Sequence, residues 1–260
     1  MYPSVTTDNV QILDLTPDNI ADYGVCGYKD IENQVELQRK IAWFGKYYPK
    51  GLRIKIIVSE KGGYQGMIEY IPGEFAHRPV DAEGYMFIHC LWVGFRKEYK
   101  SRGFASALID ECISDARRCG KHGVSVVTRK GAFMVKKEIF LKKGFRLVDT
   151  AEPDFELMVL KFDGKAGEPV FRIIPVDSCN RGLTIYRSAQ CPYSVKNVEA
   201  ILKTAKKLNI EAGLLELDDA EAAQSAPCAF GTFCIVYNGE VISHHPISNT
   251  RFGNILKKYG

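Results

Sequence analysis

The sequence predicts an α/β protein of the α+β type, with a large mixed sheet flanked by helices and a smaller α/β unit after it. First, strand-like apolar segments alternate with segments of helical period across residues 10–162. Second, a polar stretch with glycines and a proline, residues 163–169, interrupts this alternation. Third, a new series of strands and helices follows, and 260 residues are enough for two such units.

The first unit is predicted from the patterns that begin and end each element. Pro17 occupies the first position of a helix, where its missing N–H costs nothing. Gly62 and Gly63 mark a hairpin, and Gly144 ends a lysine-rich helix because glycine adopts the left-handed conformation easily. The predicted elements are strand Val10–Leu15, a helix from Thr16-Pro17-Asp18, helix Asp30–Phe44, strands Leu52–Val58, Tyr64–Tyr70 and Tyr85–Val93, helix Ser101–Cys119, strand Val124–Thr128, helix Met134–Leu141, and strands Phe145–Val148 and Phe155–Phe162.

The second unit is predicted to start with a strand, a helix and a strand, and to close with a hairpin and a helix. The hairpin is predicted from Asn238-Gly239, whose residues adopt the positive φ angles that a tight turn needs. The predicted elements are strand Thr184–Tyr186, helix Pro192–Lys207, strand Ala212–Leu217, helix Asp219–Gln224, strands Thr232–Val236 and Glu240–Ser243, and helix Arg251–Tyr259. We therefore expect domains at residues 1–163 and 183–260, joined by a linker over residues 164–182.

Composition and charge exclude several classes of protein. The 35 basic and 31 acidic residues are spread evenly and give a net charge of only +4, so no nucleic-acid partner is expected. No apolar run approaches the ~18 residues of a membrane span, and the first residues lack a secretory signal pattern. The 8 cysteines show neither CxxC nor zinc spacing, so no metal site is expected. We expect a cytoplasmic protein with reduced cysteines. A homodimer is compatible with the sequence, but nothing in the sequence requires one.

The most informative segment, residues 87–108, has the pattern of a strand, a polar loop and the start of a helix. Backbone N–H groups at a helix N-terminus bind phosphate groups, and the helix dipole adds positive potential. The loop supplies small residues, positive charge and hydroxyl groups: Gly103 and Ala105, Lys100 and Arg102, and Ser101 and Ser106. This combination predicts a site for a pyrophosphate.

The spacing Lys100-x-x-Gly103-x-Ala105 resembles the Gln/Arg-x-x-Gly-x-Gly/Ala signature of the GNAT family of N-acetyltransferases, with lysine at the first position. The order of elements over residues 10–162 resembles that family as well. The resemblance implies an enzyme that transfers an acetyl group from acetyl-CoA to a primary amine, on a small molecule or a peptide, by direct attack. The coenzyme-binding residues that it implies are Leu91, Trp92 and Val93 beside the pantetheine arm, and Lys100, Ser101, Arg102, Gly103, Phe104, Ala105 and Ser106 around the pyrophosphate.

Transfer to an amine needs a base for the amine proton. His89 is the leading candidate, because the resemblance puts it where histone-acetylating members carry a glutamate and because its ordinary pKa suits proton transfer. A histidine that is merely packed beside Trp92 is the alternative. The further candidate bases are Glu98 and Glu138, and a side chain near the acceptor is expected among His77 and Glu74.

The acid that would protonate the departing thiolate is not where the resemblance predicts it. Many family members carry a tyrosine four residues before the Gly-Phe pair, and Phe140 stands at that position here. Phe133 replaces an asparagine that is often found a turn earlier. Because phenylalanine has no proton to donate, Tyr99, another tyrosine or water is expected to supply it.

Two further resemblances concern the second unit, whose element order resembles a thioredoxin-like domain. Cys191-Pro192-Tyr193-Ser194 resembles the active-site turn of glutaredoxin-like proteins, in which a helix N-terminus makes a thiol reactive. Ala226-Pro227-x-x-Phe230-Gly231-x-Phe233 resembles the YoaP-like C-terminal domain of some GNAT proteins. Two alternatives to acetyl transfer stay open: a thiol-redox or thiol-conjugate protein that uses Cys191, and a non-catalytic coenzyme A sensor.

Overall fold

The computed structural model describes residues 10–59, 63–94, 102–176 and 181–259. The strands are β1 Val10–Leu15, β2 Arg53–Ser59, β3 Gly63–Pro72, β4 Val80–Asp81, β5 Met86–Val93, β6 Gly123–Arg129, β7 Arg146–Ala151, β8 Phe155–Lys161, β9 Val170–Phe171, β10 Leu183–Arg187, β11 Ala212–Glu216, β12 Phe233–Tyr237 and β13 Glu240–Ser243. The helices are α1 Ile20–Tyr23, α2 Val35–Tyr47, α3 Phe104–Arg118, α4 Glu138–Leu141, α5 Val198–Lys207, α6 Ala220–Gln224 and α7 Asn249–Leu256. The predicted fold class, a large mixed sheet flanked by helices and followed by a smaller α/β unit, is confirmed.

The main sheet has seven strands in the order β1-β2-β3-β5-β6-β8-β7. All neighbouring strands are antiparallel except β5 and β6, which are parallel. Helix α2 packs Leu37 and Phe44 against one face. Helix α3 packs Leu108 and Cys112 against the other face, since residues four apart lie on the same side of a helix. Both faces of the central strands are therefore buried.

The second sheet has four strands in the order β11-β10-β12-β13. The strands β10 and β11 are parallel and joined by α5, whereas β12 and β13 form an antiparallel hairpin beside β10. Asn238 and Gly239 both have positive φ angles at the turn of this hairpin, as the sequence predicts. The elements predicted for residues 183–259 are all present.

The two sheets share one hydrophobic cluster. Val127, Phe155 and Leu157 of the main sheet lie in the same cluster as Ile185 and Phe252 of the second. Residues 170–172 of the segment predicted as a linker are packed against the first unit: β9 pairs with β4, and the Arg172 N–H donates to the carbonyl of Pro79. The division into two domains stays a prediction, but the two units share buried side chains.

The first five helices, α1 to α5, all begin later than the sequence predicts, and the reason is visible for α2 and α5. In residues 30–34, the Asp30 carboxylate accepts the backbone N–H groups of Glu32 and Asn33, which holds a turn before α2. Asn197 has a positive φ angle, which is incompatible with a right-handed helix, so α5 starts after it. Within the described part of the chain, no helix combines the length and the apolar character that a membrane crossing requires.

Candidate active site

The parallel strands β5 and β6 pair only near the start of β5. Their register runs from Met86 opposite Val124 to Ile88 opposite Val126, and the described residues of the two strands form no pair beyond it. On the other side of β5, the register with β3 shifts at His89, because Ile88 faces Tyr70 while Cys90 faces Glu69. The extra residue is a β-bulge, which bends a strand and re-aims its side chains. The bulge thus lies where the two strands separate.

A narrow cavity lies between the separated strands and has a volume of about 20 Å³. Its lining combines the end of β5, the middle of β6 and the segment that crosses above them: Ile88, His89, Cys90, Leu91, Val126, Val127, Phe133, Met134 and Val135. Phe133 from the crossing segment is 48% exposed and keeps an uncommon positive φ. The Phe133 ring thus forms one boundary of the cavity and also faces solvent.

The coenzyme end, which we define as Leu91–Val93 together with residues 102–106, matches the predicted strand and helix start. Leu91 and Val93 pack on the α3 side of the sheet. Trp92 points to the opposite side and stacks on Tyr64, with ring centroids 5.5 Å apart. The predicted pantetheine contacts therefore share a backbone, but their side chains alternate between the two faces.

Gly103 precedes the first residue of α3 and has a φ of 80°. A Cβ atom at Gly103 would meet no atom of the described residues within 4 Å, so these residues leave the space beside it open. Arg102 is exposed and lies 5.1 Å from the ring centroid of buried Phe104, while Ala105 and Ser106 are half-buried. The first N–H groups of a helix have no partner within it, so this end of α3 can accept an anion. Lys100, Ser101, Glu98 and Tyr99 lie outside the described residues.

The His89 side chain is 0% exposed and makes two hydrogen bonds. Its Nε2 atom accepts the His77 backbone N–H at 2.8 Å, so the ring proton is on Nδ1, which donates to Glu69 Oε1 at 3.1 Å. Burial lowers the pKa of His89 to about 4, although Glu69 opposes this shift. The ring is therefore neutral near pH 7, with its lone pair already engaged by a backbone donor.

Glu69 is the centre of a fully buried set of polar groups. The Lys40 ammonium contacts one carboxylate oxygen, and the Gln190 side-chain amide donates to the other at 2.6 Å. Lys40 also donates to the backbone carbonyl of Gln190 at 2.6 Å. Burial alone would raise the pKa of Glu69, but Lys40 and the hydrogen bond from His89 outweigh it and lower the pKa to about 2. Glu69 is therefore ionised.

Two more side chains complete the set that we call the buried network: Lys40, Trp43, Glu69, His77, His89 and Gln190. The Trp43 indole N–H donates to His77 Nε2 at 2.9 Å. Burial lowers the pKa of His77 well below its ordinary value. Arg78, 4% exposed, donates to the carbonyls of His77 and His89. Sequence reasoning missed Lys40, Glu69 and Gln190, whose only signal is a charged or polar residue within an apolar segment.

The other predicted side chains lie away from the cavity or cannot transfer protons. Glu138 is exposed on α4, and exposed Glu74 accepts from Lys121 at 3.0 Å. Phe140 is fully buried against Phe145, with ring centroids 5.3 Å apart, so it fills core space. His77 lies in the buried network and does not line the cavity.

Cys191 lies at the junction of the two units. Burial raises the pKa of its thiol, against smaller opposing effects from backbone N–H groups and from Lys40. A thiol in this environment is protonated near pH 7 and is a weak nucleophile. Among the described residues, no group of His, Cys, Asp and Glu side chains has the arrangement of a metal site.

The chain is similar to known proteins over nearly its whole length. Residues 213–254 match the family described as YoaP-like. A curated relative, the uncharacterized N-acetyltransferase YoaP of Bacillus subtilis (strain 168), is 33% identical over 251 residues, which cover 94% of this chain and 97% of the relative. The chain belongs to the YoaP family of N-acetyltransferases. This membership confirms the predicted class of enzyme, an acyltransferase.

Solved structures similar to this YoaP-family chain include two acetyltransferases. One is the PaiA N-acetyltransferase of Thermoplasma acidophilum in complex with coenzyme A, 14% identical, with a TM-score of 0.43, covering 59% of this chain and 99% of that chain. The other is YncA of Salmonella typhimurium with its cofactor acetyl-CoA, 18% identical, with a TM-score of 0.44, covering 61% of this chain and 96% of that chain. Both hold the cofactor that the sequence predicts, or its product.

Proposed function

We propose that this YoaP-family N-acetyltransferase moves an acetyl group from acetyl-CoA to a primary amine by direct attack in the space between β5 and β6. The observation that carries the proposal is the separation of these strands at Ile88, beside the open N-terminus of α3 at Gly103. A separated strand offers unpaired backbone groups to an extended ligand, and a helix N-terminus offers N–H groups to an anion. Both features belong to consecutive elements of the chain.

The coenzyme end has the properties that a pyrophosphate and a pantetheine arm need. Gly103 leaves open space at the helix N-terminus, and Phe104, Ala105 and Ser106 supply backbone N–H groups of the first turn. Arg102 adds positive charge, and we propose that Lys100 adds a second positive charge and Ser101 a hydroxyl group. Leu91, Trp92 and Val93 are proposed to contact the pantetheine arm through their backbone. When bound, acetyl-CoA supplies the thioester whose acyl group is transferred.

The proton of the amine is proposed to leave through His89 or a water molecule beside it. Glu69 holds the Nδ1 proton, so the Nε2 lone pair is the basic site, as a base oriented by a carboxylate requires. That lone pair now accepts the His77 N–H. To act as a base, His89 would have to give up this hydrogen bond and accept one from the amine or from water instead. Glu98 remains a further candidate base and Tyr99 a candidate acid, since Phe140 has no proton to give.

The second unit is proposed to be a thioredoxin-like domain at residues 183–260 that shapes the acceptor site, after a linker at 164–182 and an acetyltransferase domain at 1–163. Its sheet order and its parallel and antiparallel pairs support this assignment. The acceptor is proposed to be a small-molecule or peptide amine in the cytoplasm, and a homodimer is a further proposal. Neither a redox role for Cys191 nor a sensor role is favoured, because burial keeps that thiol protonated and the relative is an N-acetyltransferase.

Gly103→Asp tests the coenzyme end. Aspartate tolerates a positive φ and is favourable at a helix N-terminus, so the variant is expected to fold, but its charge repels a pyrophosphate. We expect the affinity for acetyl-CoA, measured by isothermal titration calorimetry, to fall by about 100-fold, which corresponds to about 2.7 kcal/mol.

The matched control is Gly120→Asp at the other end of α3, where φ is 65° and the space is equally open. It is expected to leave the affinity within about twofold. Gly103→Asn separates size from charge, because asparagine also tolerates this conformation. Equal affinities for wild type and Gly103→Asp would overturn the proposed coenzyme site.

A further inference from the structure

Three aromatic rings from distant parts of the chain form a row beside the cavity, and we call them the aromatic mouth: Tyr28, Tyr193 and Phe133. The Tyr28 and Tyr193 ring centroids are 5.4 Å apart, and those of Tyr193 and Phe133 are 6.0 Å apart. Both contacts have the edge-on geometry that aromatic pairs prefer. Tyr193 is 38% exposed and Phe133 is 48% exposed, so ring surface remains accessible. Phe133 also lines the cavity with His89 and Cys90, which connects the mouth to the proposed reaction site.

The second unit contributes directly to this mouth. The Tyr193 hydroxyl donates to the backbone carbonyl of Cys26 at 3.1 Å, which fixes its ring over the first unit. Phe133 contacts two more rings of the second unit, Phe230 and His245, at centroid distances of 6.3 and 5.5 Å. The acceptor side of the cavity is therefore built by both units.

The groups beside the mouth are uncharged. Burial raises the pKa of the Cys26 thiol well above its ordinary value and that of Cys90 to about 12; Cys90 raises the pKa of Cys26 further, and Glu69 that of Cys90. Cys191 is close enough to add to both shifts, and burial raises its own pKa as well. Burial also raises the pKa of Tyr28 to about 12. Thiols and phenols thus present a neutral, polarizable wall near pH 7.

The buried charges beneath these thiols and phenols do not favour the binding of a cation. Lys40 and Arg78 are buried cations, and Glu69 is the buried anion that both of them face. This set has a surplus of one positive charge, because His77 and His89 are neutral. Glu36 on α2 lies near enough to Tyr28 to raise the pKa of its phenol, so it is the carboxylate to test at the outer edge.

We infer that the acceptor is a monoamine carried on an aromatic or other apolar body, which lies against the aromatic mouth and reacts as the uncharged amine, and that polyamines are poor acceptors. This inference rests on the proposed function. The rings provide apolar area and stacking for the body, and the neutral thiols leave no counter-charge for a second ammonium group. The positive charge below the mouth favours loss of the amine proton before attack.

The experiment compares 2-phenylethylamine with spermidine, and coenzyme A release is followed by chromatography so that the protein's thiols do not interfere. We expect kcat/KM for 2-phenylethylamine to exceed that for spermidine by at least about tenfold. Tyr193→Ala is expected to raise the KM for 2-phenylethylamine by about 5- to 10-fold with a smaller effect on kcat, because the ring contributes binding. Tyr193→Phe keeps the ring and is expected to restore the KM to within about twofold.

Where an amine is acetylated, two results would overturn the acceptor class. One is a preference for spermidine that Glu36→Gln removes, which would assign selection to that carboxylate. The other is an unchanged KM in Tyr193→Ala. If acetyl-CoA binds with the expected dependence on Gly103 but neither amine is acetylated, the acceptor class is wrong and the coenzyme site stands. If acetyl-CoA does not bind the wild-type protein, the proposed function fails and this inference fails with it.

Discussion

The coenzyme end and the buried network both include residues of β5, but they are built from different chemical groups. The coenzyme end offers backbone groups beside exposed Gly103, where a side chain would meet no atom of the described residues within 4 Å. The buried network consists of polar side chains, with Lys40, Glu69 and His89 all at 0% exposure. The coenzyme end is proposed to bind a charged ligand from solution. The buried network already contains paired charges that folding has removed from water.

This difference determines what a substitution can do at each end. At the coenzyme end, a new side chain blocks a ligand without disturbing the core, so binding changes more than stability. In the buried network, Lys40, Glu69 and His89 come from three different elements and depend on one another as partners, so removing one group leaves another without compensation. Stability measurements therefore probe the network, and binding measurements probe the coenzyme end.

The largest expected effect is that of Lys40→Met. Methionine fills a similar volume but leaves the Glu69 carboxylate buried without its cation. We expect the free energy of unfolding, measured by urea titration, to fall by about 3–5 kcal/mol. The double variant Lys40→Met with Glu69→Gln is expected to regain part of this loss, because no buried charge is then left unpaired.

Lys143→Met is the matched control for this prediction. The Lys143 ammonium lies 2.6 Å from Asp110, whose side chain is 59% exposed. Exposed pairs contribute little, so a loss below about 1 kcal/mol is expected. Similar losses of unfolding free energy in Lys40→Met and Lys143→Met would show that the buried ion pair stabilises the fold no more than an exposed one does.

The same contrast explains what the sequence could predict. The strand, the loop glycine and the helix start follow one another along the chain, and each has a local pattern, so the fold class and the elements of the proposed coenzyme site were predictable. The network joins Lys40, Glu69 and Gln190, which are separated by long stretches of chain, and no local pattern reports such contacts. The late starts of α2 and α5 were missed for a related reason, since the Asp30 turn and the Asn197 φ angle depend on surrounding groups.

The second prediction concerns the loss of folding stability at low pH. His89 has a folded-state pKa of about 4, below the ordinary value of 6.5, so the unfolded chain binds its proton more readily. Stability is then complete above pH 6.5 and falls as the pH drops toward 4. Between pH 7 and pH 5 this ring alone is expected to lower the free energy of unfolding by about 2 kcal/mol.

His89→Gln is expected to remove that share of the pH dependence, as judged by urea titrations at both pH values. Burial also lowers the pKa of His245 to about 4, but this ring is only half-buried, so His245→Gln is expected to remove a smaller share. Glu69 adds a loss at lower pH, between about 4.5 and 2, because its folded-state pKa is about 2. An unchanged pH dependence in His89→Gln would mean that the imidazole is not held neutral by burial.

The smallest expected effect is that of Cys191→Ser, which decides between acetyl transfer and thiol chemistry. The raised pKa of Cys191 keeps the thiol protonated, so neither a nucleophile nor a redox group is lost when a hydroxyl replaces it. We expect kcat/KM for acetyl transfer to stay within about threefold of wild type and the free energy of unfolding to change by less than about 0.5 kcal/mol. If Cys191→Ser instead abolished acetyl transfer, the reaction would depend on the thiol of the second unit. Serine differs from cysteine mainly in replacing sulfur by oxygen, so the loss would be assigned to the sulfur atom.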